Sequence, residues 1–162
     1  MSYHLGSVWP LANAMIAAGL KLYGFIPELH ALAKGLFEAT GLFDLGRLPE
    51  TFGGHPRDRQ HPPPGIYPKA CAPQAWSAGA VVQMIQALLG LVPLAPFDLL
   101  AVDPDLPEWL PEVTLEGLRV GDSTVSLAFR RDASGLTDYR ILAAQGPVRV
   151  ERQALARFGG VA

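Results

Sequence analysis

Residues 10–23 read PLANAMIAAGLKLY, a run in which Lys21 is the only charged residue. Proline is well tolerated in the first turn of a helix, because the N–H group that it lacks has no partner there. The run therefore predicts a helix from Pro10 to about Tyr23. Apolar residues surround this helix on nearly every side, so we expect most of its surface to be enclosed by other elements.

Two further helices are predicted downstream. The first spans residues 27–43 and has one polar, solvent-facing stripe, whose residues recur every four positions: His30, Lys34 and Glu38. Such a pattern is typical of an amphipathic helix on the outside of a fold. The second spans residues 74–89, is again apolar nearly all round, and is expected to stop at Gly90.

The order of these helices, enclosed then half-exposed then enclosed, is expected of a toroid of helical hairpins. The fold class predicted is therefore mainly α: a partial (α/α) toroid over residues 1–96. A long segment rich in proline and glycine, residues 46–73, separates the last two helices. Connections of this length are usually functional.

Residues 97–162 are predicted as a connecting segment followed by a small antiparallel β region. Four stretches with alternating or β-branched patterns are expected to form its strands: 113–120, 123–131, 139–144 and 148–152. Turn residues such as Gly121 and Asp122 separate them.

The composition suggests surface that another polypeptide covers. Hydrophobic residues make up 49% of the 162 residues and charged residues only 17%, although a small domain has much surface for its volume. We therefore expect a homo-oligomer, or dependence on a partner chain. The net charge is −2 and no basic stripe is present, so nucleic acid is not expected as a partner.

The single cysteine, Cys71, fits a reducing compartment and is expected to be a small buried residue. No signal-peptide pattern begins the chain, so a cytoplasmic location is predicted. The uncharged stretch 70–97 is interrupted by proline, glutamine and glycine. Its helical part is shorter than the roughly 20 residues that a bilayer requires, so no membrane span is predicted.

Four stretches resemble one family. Residues 3–13 read YHLGSVWPLAN and resemble the Y-H-x-G-S-V-W-P-x-x-N segment of bacterial amylo-α-1,6-glucosidase-like proteins, the glycogen-debranching type. Residues 47–54, RLPETFGG, are similar to the family's R-L-P-E-x-F-x-G loop, and residues 67–80, YPKACAPQAWSAGA, to its Y-P-x-A-C-x-P-Q-A-W-x-A-G-A run. Residues 103–110 are similar to the segment after its last helix.

The resemblance implies an α/α-toroid glycoside hydrolase that cleaves α-1,6-linked glucans with inversion. It also implies that only the last three or so helices of the toroid are present, and that the earlier part of the catalytic domain lies outside this chain. Two functions stay open: the C-terminal part of a glucosidase, or a non-catalytic remnant that contacts carbohydrate or oligomerises. The family usually has His-Asp at the positions of Leu11 and Ala12, which favours the remnant.

An inverting glycosidase needs a carboxylic acid and a carboxylate base about 6.5–9.5 Å apart. Glu50 is the candidate base, because it lies in the loop that matches the family. The alternative is a loop carboxylate that caps a turn or pairs with Arg47 or Arg57. No partner acid is visible in the sequence, so the isolated chain is predicted to lack the general acid.

The remaining candidate site residues are substrate-binding ones, all within the matching motifs: His4, Trp9, Asn13, Tyr67, Gln74 and Trp76. An aromatic ring can stack on the apolar face of a sugar, and Trp9 and Tyr67 lie where a pocket is expected. For Trp76, packing in the core is an equally good interpretation. For His4, a structural hydrogen bond is an equally good interpretation. Gln74 faces the pocket or satisfies free N–H groups at its helix start.

His55 and His61 invite a metal interpretation, but their spacing matches no zinc pattern and the cysteine is remote. No phosphate-binding loop occurs either. The sequence therefore predicts no metal and no cofactor. The family resemblance implies an α-glucan or oligosaccharide as the ligand.

Overall fold

The computed structural model describes residues 2–59, 61 and 63–154. Their three α-helices are α1 (Pro10–Tyr23), α2 (Ile26–Thr40) and α3 (Ala75–Leu89). The eight strands of the same residues are β1 (Ser7–Val8), β2 (Phe52–Gly53), β3 (Val92–Leu94), β4 (Leu99–Val102), β5 (Glu112–Val120), β6 (Ser123–Arg131), β7 (Thr137–Gln145) and β8 (Arg149–Arg152).

The prediction of a mainly α fold is wrong. Helices account for 33% of the described residues and strands for 30%, in three antiparallel or mixed sheets, so the fold is a mixture of α and β rather than a toroid segment. Strands occur even in the part predicted as helical, where β1 pairs with β2 and β3 precedes β4. These strands have two to four residues, too few for a periodic pattern to show.

The chain divides into two compact units, one of residues 1–20 and 27–85 and the other of residues 21–26 and 86–162. The predicted boundary at residue 96 stays a prediction. Among the described residues, no helix combines the length and apolar character needed to cross a membrane.

In the first unit, six apolar residues of the three helices are fully buried: Ala14, Ala17, Leu29, Ala33, Ala80 and Met84. Other apolar residues of the same helices face solvent. Met15 on α1 is 63% exposed and Val82 on α3 is 66% exposed. The helix predicted to be enclosed on most sides thus keeps an open apolar surface.

The segment between α2 and α3 is anchored to the N-terminal segment. Strands β1 and β2 pair antiparallel, and Thr51 Oγ1 donates to the carbonyl of Val8 at 2.9 Å. Gly54 N–H donates to the carbonyl of Gly6 at 2.9 Å. A Cβ atom on Gly54 would lie 2.7 Å from that oxygen, so this close approach requires glycine.

In the second unit, β4 pairs antiparallel with β3 and parallel with β8. The parallel pairing corrects the prediction that the last strand belongs to an antiparallel sheet. Asp103, just after β4, forms an ion pair with the buried Lys21 (Nζ–Oδ2, 3.4 Å). This pair accounts for the single charge in the apolar run of residues 10–23.

Strands β5, β6 and β7 form an antiparallel meander. One face of β6 is buried through Val125, Leu127 and Phe129. Both outer strands are irregular near Ser126: β5 bulges at Glu116 and Gly117, opposite Ser126, and β7 bulges at Leu142, opposite the Ser126–Leu127 step. Gly117 adopts a φ of 63°, which glycine tolerates.

The turn between β6 and β7 is organised by one carboxylate. Asp132 Oδ1 accepts hydrogen bonds from Ser134 Oγ at 2.6 Å and from the N–H groups of Ser134 and Leu136 at 2.9 and 3.0 Å. These donors, the Ser134 hydroxyl foremost, hold the pKa of Asp132 below its usual value. The ionised carboxylate is therefore part of the turn.

Candidate functional site

Tyr3 lies at the centre of an aromatic cluster. Its ring meets the rings of His4, Trp9 and Tyr67 edge to face, at centroid distances of 4.8, 5.0 and 6.0 Å. His4 in turn stacks on Trp9 at 5.7 Å with an interplanar angle of 5°. Edge-to-face and stacked contacts of this kind are the favoured geometries of aromatic pairs. We call these four residues the aromatic cluster.

Local hydrogen bonds fix the segment that carries the cluster. Ser7 Oγ donates to the carbonyl of Tyr3 at 2.6 Å and accepts from Trp9 Nε1 at 3.1 Å. Asn13 Nδ2 donates to the carbonyl of Trp9 at 2.8 Å. Tyr67, from the segment before α3, donates its hydroxyl to the carbonyl of Ser2 at 3.0 Å. The cluster is thus built from two distant parts of the sequence.

Glu50 meets this cluster through Tyr3. The Tyr3 hydroxyl donates to Glu50 Oε2 at 2.5 Å, a short distance typical of a hydroxyl bound to a carboxylate. The N–H of Cys71 points to the same oxygen at 3.4 Å, while Glu50 N–H donates to the Cys71 carbonyl at 2.8 Å. Oε1 accepts no hydrogen bond from the described residues. One carboxylate oxygen is therefore held and the other is open.

The backbone around Glu50 is secured against the start of α3. Ser77 Oγ donates to the carbonyl of Pro49 at 2.8 Å, and Gln74 N–H donates to the carbonyl of Leu48 at 3.1 Å. Arg57 pairs with Glu38 at 3.6 Å. Among the described residues neither Arg57 nor Arg47 forms an ion pair with Glu50, so the ion-pair alternative for this carboxylate is not seen there, while the alternative that it caps a turn stays open.

The carboxylate controls the protonation of Tyr3. The hydrogen bond to Glu50, followed by desolvation and the negative charge of Glu50, raises the pKa of Tyr3 to about 12. Tyr3 therefore remains a hydrogen-bond donor throughout the neutral range. A phenol that stays protonated keeps the carboxylate in one orientation.

An open cleft of about 480 Å³ adjoins the pair, lined by Tyr3, Tyr67, Pro68 and Lys69. Its walls are aromatic and aliphatic, which suits the apolar face of a sugar ring. The described residues that line it include no carboxylate. The cleft thus has an aromatic surface and a neighbouring carboxylate, that of Glu50, but no carboxylic acid among its described lining residues.

The structure brings together four of the seven candidate residues: His4, Trp9, Glu50 and Tyr67. Asn13 instead donates its side-chain amide to the carbonyl of Trp9, one turn earlier in the chain. Gln74 Oε1 accepts from the N–H of Ala75 at 3.0 Å, so its side chain satisfies the free N–H group at the helix start. Trp76 lies on α3, is 43% exposed, and contacts no described aromatic ring.

Tyr3 was not among the candidates, although it begins the first motif. Its partner Glu50 lies 47 positions away, and no local pattern indicates such a contact. Cys71 was predicted to be buried and is exposed. The expectation failed because the role of this residue is carried by its backbone, which pairs with Glu50, rather than by its thiol.

A second depression of about 250 Å³ lies between α2 and the following loop, and His55, Arg57 and His61 are among its lining residues. The two imidazoles stack at 5.1 Å, and His61 Nδ1 lies 3.1 Å from Asp58 Oδ1. Within the described part of the chain, no group of three or more potential ligand residues could hold a metal ion.

The aromatic cluster, Glu50 and the cleft form the candidate site, which is built entirely within the first unit. Comparison of the sequence with protein-family models and with curated proteins yields no match.

Proposed function

We propose that this chain supplies the general-base side of an α-glucosidase site of the glycogen-debranching type, acting on α-1,6-linked glucans. The observation that carries the proposal is the Tyr3–Glu50 hydrogen bond beside an aromatic cleft. Oε1 of Glu50 is open to accept a proton from an attacking water, while Oε2 is held by Tyr3. An inverting mechanism requires such a carboxylate on the face opposite the leaving group.

The partner acid, in this proposal, comes from outside the cleft, from another part of the polypeptide or from a second chain. The sugar ring stacks on Tyr67, and the aromatic cluster keeps that ring in place. A cytoplasmic location belongs to the same proposal, since the single exposed cysteine suits a reducing compartment.

A second candidate function is a non-catalytic carbohydrate-contacting or oligomerising module. The observation in its favour is the start of α1, where Leu11 and the exposed Ala12 stand at positions that are polar in the family. Loss of two polar groups there would remove hydrogen bonds to a substrate while the aromatic stacking surface remains. The two functions differ in whether Glu50 performs chemistry.

The first experiment measures binding of a linear maltooligosaccharide by calorimetry. We expect Tyr67→Ala to weaken binding about tenfold, because a lost aromatic contact is worth about 0.5–1.5 kcal/mol beyond the buried area. Trp76→Ala is the matched control and should leave the affinity unchanged. Absence of binding to the wild-type chain would overturn the glucosidase proposal and the carbohydrate-contacting form of the second candidate, leaving only the oligomerising form.

The second experiment measures glucose release from limit dextrin and maltodextrin, with Glu50→Gln as the control variant. If the chain is active, or becomes active with a chain that supplies the acid, Glu50→Gln should abolish the activity. Binding without any hydrolysis in both settings favours the non-catalytic module. Hydrolysis that survives Glu50→Gln contradicts the base role.

A further inference from the structure

The outward face of the β5–β6–β7 meander carries a set of polar side chains that the candidate site does not use. On β6 the inward residues alternate with outward ones: Thr124, Ser126, Ala128 and Arg130. Alternation of this kind places every second side chain of a strand on the same face. These outward residues belong to the second unit and are independent of the proposed function.

The strand register places a small residue among large ones. Ala128 stands opposite Thr114 of β5 on one side and Arg140 of β7 on the other, and Arg130 occupies the next outward position of the same strand. The short side chain of Ala128 leaves a cavity of about 510 Å³, whose wall includes Thr114, Arg130, Arg140 and Leu142. The cavity follows from the sequence of three adjacent strands.

Two arginines and two carboxylates line this cavity; Glu112 and Asp138 both stand opposite Arg130, and Asp138 is also engaged by Arg152, which lies outside the lining. Arg130 and Arg140 are both exposed, and neither forms an ion pair with any carboxylate of the described residues. Asp138, which stands opposite Arg130, has its Oδ1 engaged by Arg152 Nη2 at 3.1 Å and by the N–H of Tyr139 at 2.8 Å. Glu112 is the remaining acidic residue in the lining.

We propose that this cavity binds a small oxyanion, the phosphoryl or carboxylate group of a ligand. A guanidinium is planar, remains charged, and presents paired donors that match the oxygens of such a group. Two of them, diagonal across the β6–β7 pair, line the same cavity and supply donors to it, and the hydroxyl of Thr114 supplies another. The carboxylate of Glu112 opposes an anion, so the affinity expected is modest.

The test is a titration of the full chain with inorganic phosphate at constant ionic strength, followed by amide chemical shifts. We expect saturable shifts confined to the strands around Ala128. Arg130→Gln and Arg140→Gln should each weaken phosphate binding about tenfold, since each removes charge-assisted hydrogen bonds to the anion. Glu112→Gln should strengthen phosphate binding.

The matched control is Arg119→Gln. Arg119 is also exposed and stands opposite Thr124 on the same face, but it lies outside the cavity. Its loss should change the affinity by less than about twofold, as expected of general screening. If Arg119→Gln and Arg140→Gln lowered the phosphate affinity equally, the anion would be attracted by the general positive charge rather than by this cavity. That result would overturn the proposal.

A filling variant separates loss of the site from loss of folding. Ala128→Leu keeps both arginines but occupies the cavity, so saturable binding should disappear while the thermal transition is retained. Acetate titrated in the same way identifies the ligand chemistry: shifts at the same residues assign a carboxylate group, and a response to phosphate alone assigns a phosphoryl group. No saturable response to either anion, or normal binding by Ala128→Leu, would refute the site.

Discussion

Tyr3 joins the aromatic cluster to the carboxylate of Glu50. Its ring contacts three other rings while its hydroxyl donates to Oε2, so one side chain fixes both the stacking surface and the candidate base. The hydrogen bond is also the largest cause of the raised pKa of Tyr3. Removing either partner should therefore be visible in the other.

We expect Glu50→Gln to lower the pKa of Tyr3 from about 12 toward the usual value of about 10, because the negative acceptor is gone. An ultraviolet titration of tyrosinate formation measures this. Tyr3→Phe identifies which of the four tyrosines gives the late transition, and Tyr67→Phe is the control. A titration unchanged by Glu50→Gln would contradict the hydrogen bond.

The same shift predicts how stability depends on alkaline pH. The folded pKa of Tyr3 lies above the unfolded value, so its contribution is fully present below about pH 10 and is lost as pH rises through about 12. The free energy of unfolding, measured with urea, should fall more over this pH window for the wild type than for Tyr3→Phe. Equal pH profiles would count against the pair.

Asp132 titrates in the opposite sense. Its folded pKa is lowered, so the stability that it contributes is present above its unfolded value of 3.8 and is lost as pH falls through the folded value. Asp132→Asn should therefore be less stable than the wild type at neutral pH, with the difference shrinking in acid. Asp122→Asn, in the neighbouring turn, is the control for the general effect of removing a carboxylate.

Among the elements, the pairing of β1 with β2 depends most on a single residue. A side chain on Gly54 would meet the carbonyl oxygen of Gly6 at 2.7 Å. Since that atom belongs to the backbone, it cannot rotate away. The N-terminal segment that bears the aromatic cluster is therefore tied to the loop of Glu50 by glycine.

Gly54→Ala should destabilise the fold by about 1–3 kcal/mol, the usual cost of forcing an extra methyl group into a packed site. Gly79→Ala, on α3, is the contrast, since its Cβ would have no atom within 4 Å. Alanine inside a helix should instead stabilise by about 0.5–1 kcal/mol. Urea unfolding distinguishes the two signs, and a neutral Gly54→Ala would refute the close approach.

Elements with a long periodic pattern were the predictable ones. Helix α3 was predicted at 74–89 and lies at Ala75–Leu89, and Gly90 ends it with a φ of 58°. Strands β1 to β4 were missed, because two to four residues do not establish a period. In the site, motifs indicated Glu50 and Tyr67, but the contact of Tyr3 with Glu50 depends on tertiary pairing that no local pattern encodes.

At the scale of the whole molecule, the exposed apolar residues of the helices are the outstanding property. Met15 and Val82 are both more than half exposed, and contiguous apolar surface usually marks a contact region. Self-association through these helices, or pairing with another chain, stays part of the proposal. It agrees with the low charged fraction of the sequence.

We expect the wild-type chain to be an oligomer in light scattering, and Val82→Lys or Met15→Lys to shift it toward the monomer. Lys34→Met, on the polar stripe of α2, is the control and should not reduce association. A wild-type chain that remains monomeric at high concentration would contradict this expectation.

The bulges of β5 and β7 affect whether the meander can pair edge to edge with another copy of itself. Each outer strand has its bulge near Ser126 and Leu127 of β6. Neither border of the sheet therefore offers a long straight row of free N–H and C=O groups. Such a row is what another sheet needs in order to add on. The bulges thus disfavour the addition of another copy along the two borders of this meander.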